Sequence, residues 1–266
     1  MTTTNLGDQL NHIVSQARAA LFEQGELAQL TYGAFDIAAR LMQESGQDEI
    51  EVTYPVGLGL DRKPIESKRT YKKEELLGRY QLLAFQLLSV HGLVHLVAII
   101  EALLGDVVRA VVMKYPQKLG GKRTVAIQTV LEATSIEEIH LRATDALLNE
   151  LSYKSPNEFA ESLQPLLSLN LLECPAFHKY MEIKASRDIF IHNRGIANDI
   201  YVRKAGSHVR AKAGWALPAD TQYFLESYEC CLQLNEWLEM ELHTRWHSSE
   251  FEARTQPAKQ LPFPST

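Results

Sequence analysis

Arg187 and His192 stand five residues apart in the run Arg187-Asp188-Ile189-Phe190-Ile191-His192-Asn193-Arg194-Gly195. A guanidinium is a fixed planar fork that suits phosphate. An imidazole moves a proton near neutral pH. The pair suits contact with a phosphate group. Asp188 stands one helical turn before His192, where a carboxylate is expected to hold the imidazole in one orientation. Five helical residues turn through about 140°, so Arg187 and His192 do not share a ridge of an ideal helix. For both to meet one phosphate, the helix end must distort or a second copy of the helix must contribute.

The charge around this run is uneven. Lys179 to Gly214 holds eight Lys/Arg against three acids, a net of +5, which leaves −11 for the rest of a chain whose total is −6. A solvated basic face and a functional one share this composition. The acidic total excludes a cationic coat for nucleic acid and leaves room for contact at one cleft. Three Cys exclude a disulfide framework and a four-Cys zinc site. Cys174, Cys230 and Cys231 read as small core residues. Gly120-Gly121-Lys122-Arg123 lacks the rest of a phosphate loop, and no GxSxG or dinucleotide fingerprint occurs. His91 and His95 have metal-ligand spacing but no third ligand nearby, so two core histidines are expected. His243, Trp246 and His247 read as packing or capping residues.

The elements that must position Arg187 and His192 are helical. The chain of 266 residues, 45% hydrophobic and 23% charged, has an ordinary globular composition. Apolar spacing predicts a helix over about 5–43, interrupted at Gly25. Glu49 to Tyr54 alternates like a short strand, and Pro55 to Lys73 reads as an exposed loop or loose hairpin. An apolar helix is expected over 73–114, ended by Tyr115-Pro116 and buried within a bundle rather than in a membrane. Ser135-x-x-Glu138 and Ser155-Pro156-x-Glu158 are capping boxes. A helix over about 176–193 is closed by Gly195, a small hairpin is expected over 201–215, and a last helix over 220–246. The class is all-α, with at most one minor hairpin. The expected divisions are an N-terminal extension over 1–70, a helical body over 71–247 and a disordered tail over 248–266.

Arg187-x4-His192, with a polar residue directly after the Arg, resembles the Arg-x(4–6)-His motif of HEPN domains. Ile191-His192-Asn193-Arg194-Gly195-Ile196-Ala197-Asn198, followed by Tyr201, is similar to the corresponding run of HEPN ribonucleases of the RiboL-PSP-HEPN or MAE type. The motif covers about 15 residues, and the helical layout extends the likeness over about 82–246. The resemblance implies a HEPN-like bundle that dimerises so that two such motifs face one cleft. It implies metal-independent RNA cleavage by 2′-OH attack on the adjacent phosphate, with Arg187, His192 and Asp188 catalytic. Asn193, Arg194, Lys184 and Glu101 are the candidates for holding substrate. No metal and no cofactor are expected. A cytoplasmic homodimeric toxin or phage-defence effector is implied, with RNA as substrate and an antitoxin or regulatory partner. The family also includes members that only bind nucleotides or partners, and that alternative stays open.

Overall fold

The structure, a computed structural model, describes residues 5–120, 124, 126–151 and 153–255. It is all-α with one two-stranded ribbon. Helix α1 (Leu6–Glu44) starts at Asn5, whose side chain accepts from the Gly7 N–H. It runs unbroken through Gly25, where an interruption is expected. A Cβ there would stand 2.5 Å from the Tyr228 ring, so this glycine marks a close approach and not a break. Strands β1 (Glu49–Leu58) and β2 (Pro64–Lys72) pair antiparallel, with a bulge between Pro55 and Gly57. This exposed ribbon is the loose hairpin expected here.

Helix α2 (Lys73–Leu82) passes through a π turn at Leu83–Leu87 into α3 (Leu88–Lys114). Tyr115 leaves helical geometry at φ −133°, as a residue before proline tends to. This continuous helix is long and apolar enough to cross a membrane by length and composition, and 50% of its apolar window is buried inside the protein. The basic turn expected at 119–123 lies mostly outside the described residues. Then come α4 (Ile127–Glu132), α5 (Ile136–Leu151) and α6 (Pro156–Leu167). The box at Ser155 is complete: Ser155 Oγ accepts from the Glu158 N–H, and Glu158 accepts from the Ser155 N–H at 3.0 Å. The one at Ser135 is half made, because the Glu138 carboxylate turns to the Thr134 N–H and hydroxyl.

The chain continues through α7 (Phe177–His192), α8 (Asp199–Ala205), α9 (Thr221–Arg245) and α10 (Ser249–Thr255). Two expectations fail here. The hairpin over 201–215 is absent, because the Asn198 side chain accepts from the Tyr201 N–H and starts α8 instead. The tail is helical over 249–255, because Asp8 accepts from Ser248 Oγ at 2.8 Å, from Ser249 Oγ and from the Glu250 N–H. The remainder of the expected tail, 256–266, lies outside the described residues.

Helices α1, α3 and α9 pack together and α7 lies against α3 and α9. Leu10, Val14 and Leu21 share one buried cluster with Leu96, Ile100, Val107, Phe177, Leu234 and Leu238. The first half of α1 therefore belongs to the same core as the body, and the boundary expected near residue 70 does not separate two cores. Cys174, Cys230 and Cys231 are buried and free, as expected. Burial pushes the Cys230 thiol up to about 12 and the Cys231 thiol well above its ordinary value.

Candidate functional site

The end of α7 builds one wall of the site. The Asn193 and Gly195 N–H groups both donate to Ile189 O, at 2.9 and 3.1 Å. Arg194 and Gly195 both take left-handed backbone, with φ +53° and +77°. Glycine enters this region freely; an arginine does so at a cost of about 1 kcal/mol. The helix end is thus bent immediately after His192. Asn193 Nδ2 donates to Ile196 O and closes the turn. Ala185 and Ile189 pack with Ala197, Tyr201 and Ala205, which brings α8 alongside.

A cleft of about 490 Å³ opens between these elements and α3. Of the residues expected at the site, Glu101, Lys184, Arg187, Asp188, His192 and Asn193 line it, and Arg194 does not. Tyr153, Asn198 and Lys204 line it as well. Asn198 belongs to the motif run and Lys204 to the basic segment, but no sequence signal places Tyr153 there.

Carboxylates partner the cations of this cleft. Glu101 forms ion pairs with Lys184 and Arg187, one through each oxygen. Arg187 Nε lies 3.4 Å from Asp188 Oδ1 but, although buried, has no hydrogen-bond partner among the described residues. Asp188 Oδ2 lies 4.0 Å from Lys204 Nζ. Three cations thus meet two carboxylates, a local net of +1 before His192 is counted. Burial lowers the pKa of Lys204; Asp188 raises it, and the neighbouring Lys184 lowers it.

Asp188 does not hold His192 in place. Its oxygens lie by the cations Arg187 and Lys204, which draw the carboxylate to themselves. His192 is exposed, and no hydrogen bond or ion pair joins it to Asp188 among the described residues.

Many cations of the basic segment are paired, some with carboxylates from elsewhere in the chain and some with the segment's own. Lys179 pairs with Glu226 at 3.0 Å. Arg210 pairs with Glu182, which is 1% exposed and also accepts from Ser186 Oγ, Tyr201 OH and Tyr223 OH. Arg210 donates further to Pro218 O and Ser186 Oγ and lies over the Tyr223 ring. This network clamps the return from α8 onto α7.

Two other histidine pairs lie outside the cleft. His91 and His95 are exposed, against expectation, and His95 Nδ1 lies 2.6 Å from Gln24 Oε1. His243, His247 and Glu252 cluster closely enough to suggest a metal site. However, His243 Nδ1 accepts from the Ser248 N–H at 3.2 Å. That bond occupies one of the two ring nitrogens a metal could use. His243 stacks on Phe251 with ring centroids 4.3 Å apart, in keeping with a packing role.

No family model matches the chain, and no curated protein or solved structure compared with it matches either.

Proposed function

We propose that this cleft is the active site of a metal-independent endoribonuclease of HEPN type, working as a cytoplasmic homodimer. The carrying observation is that Arg187 and His192 line one cleft together with Lys184 and Lys204. The substrate 2′-OH attacks the adjacent phosphorus, and its proton passes to a base. The new O2′–P bond forms as the P–O5′ bond breaks, and O5′ takes a proton. The products carry a 2′,3′-cyclic phosphate and a 5′-OH. Arg187 and the lysines hold the charge on the phosphoryl oxygens. Each protomer brings one His192, so a dimer supplies two imidazoles, one for each proton.

Exposed Ile191, Ile196 and Ile200 lie along the α7 end, the following turn and the α8 start, and exposed Trp215, whose carbonyl accepts from the Ala197 N–H, lies beside that turn. This apolar surface fits a face that a second copy covers. In a bacterial host, the wild type is expected to slow growth and cleave RNA, while Arg187→Ala and His192→Ala at matched levels do neither. Equal growth and intact RNA in all three would sink the proposal. An active chain of this kind also needs restraint, which fits a toxin or phage-defence effector held by an antitoxin or regulatory partner.

One observation favours a second reading. The ion pair of Arg187 with Glu101 also ties α7 to α3, as an architectural contact would. A non-catalytic interaction or nucleotide-binding protein would lose stability or dimer mass on Arg187→Ala, with no RNA phenotype. Light scattering and melting of the same variants separate the two readings.

A further inference from the structure

Glu101 and Lys184 also line a second cavity, of about 460 Å³, which adjoins the cleft. Leu104, Leu148, Phe159 and Leu163 give it apolar walls, and Tyr180 lines it with a phenol. Tyr180 is 1% exposed and its hydroxyl has no hydrogen-bond partner among the described residues. Buried hydroxyls as a rule find partners, so an orphan beside a cavity points to a group that the cavity receives. Burial, and then the nearby Glu101 carboxylate, push this phenol well above its ordinary pKa. It therefore stays neutral and can both donate and accept.

We infer that the chamber receives a nucleobase of the RNA, whose edge bonds the Tyr180 hydroxyl while the adjoining phosphate lies against Lys184 and Arg187. This rests on the ribonuclease reading of the cleft. A base has apolar faces and a polar edge, and proteins that read single-stranded RNA hold such groups between aromatic and apolar side chains. An apolar side chain from a partner protein would fill the same walls but leave the Tyr180 hydroxyl unsatisfied. The shared Glu101–Lys184 wall sets the chamber next to the cations that hold phosphate, as a nucleotide requires.

Calorimetry with the 3′-monophosphates of the four ribonucleosides, and with inorganic phosphate alone, tests the assignment. At least one nucleotide is expected to bind wild type more than about tenfold tighter than phosphate. Ala102→Trp, at an exposed position lining the chamber, should abolish that advantage and leave phosphate affinity unchanged. Tyr180→Phe, which removes one oxygen and keeps the ring, should reduce it. Nucleotides no tighter than phosphate, or both variants matching wild type, would overturn the chamber. RNA cleavage by wild type and His192→Ala is read separately. A nucleotide advantage without cleavage keeps the chamber and removes the catalytic reading. Cleavage without a nucleotide advantage removes the chamber alone.

Discussion

Single side chains carry opposite signs for stability and function here. Tyr180 is the clearest case: a buried hydroxyl without a partner is an uncompensated desolvation. Tyr180→Phe is therefore expected to stabilise the free protein by about 1 kcal/mol while weakening nucleotide binding. Chemical denaturation and calorimetry on the same sample check both halves. Glu182 lies at the other extreme, buried and fully engaged by Ser186, Tyr201, Tyr223 and Arg210. Glu182→Ala removes the shared acceptor of this network, including the charge partner of Arg210, and is expected to destabilise by about 3 kcal/mol or more. A melting curve within a few degrees of wild type would contradict this.

At the scale of elements, caps and glycines decide where helices begin, end and touch. Asp8 holds the start of α10, and its pKa is lowered, first by the Ser248 hydroxyl, against desolvation that raises it, and then by bonds from the Glu250 N–H and from Ser249. A depressed carboxylate contributes fully above its ordinary value of 3.8, and the contribution is lost as pH falls through the lower folded value. Docking of α10 should therefore loosen in acid below about pH 4. Amide exchange over 249–255 should show that transition in wild type and lack it in Asp8→Asn. The helices that position the cleft were legible from apolar spacing, the Ser155 box and Tyr115-Pro116, because those signals are local. Gly25 misled for the opposite reason. Its role is set by Tyr228, some two hundred residues away in the chain. The partners of Asp188 were also hidden, since Lys204 reaches it only after α8 folds back beside α7.

For the whole molecule, the uneven charge of the sequence becomes a small cationic opening. Glu101, Asp188, Glu182 and Glu226 partner five of the eight cations counted between Lys179 and Gly214, namely Lys179, Lys184, Arg187, Lys204 and Arg210. RNA held by the remaining field should show a shallow salt dependence. With three cations facing the cleft, the slope of log affinity against log salt is expected near −2, well short of a protein that coats nucleic acid. A steep slope measured by fluorescence anisotropy would place the contact elsewhere. The three buried thiols have a further use. Cys174 precedes α7 while Cys230 and Cys231 lie within α9, all closed to solvent and shifted away from thiolate. A thiol reagent in excess can label them only during an opening that parts those helices. The labelling rate then becomes an intrinsic clock for how often the core breathes, with no added dye and no engineered residue.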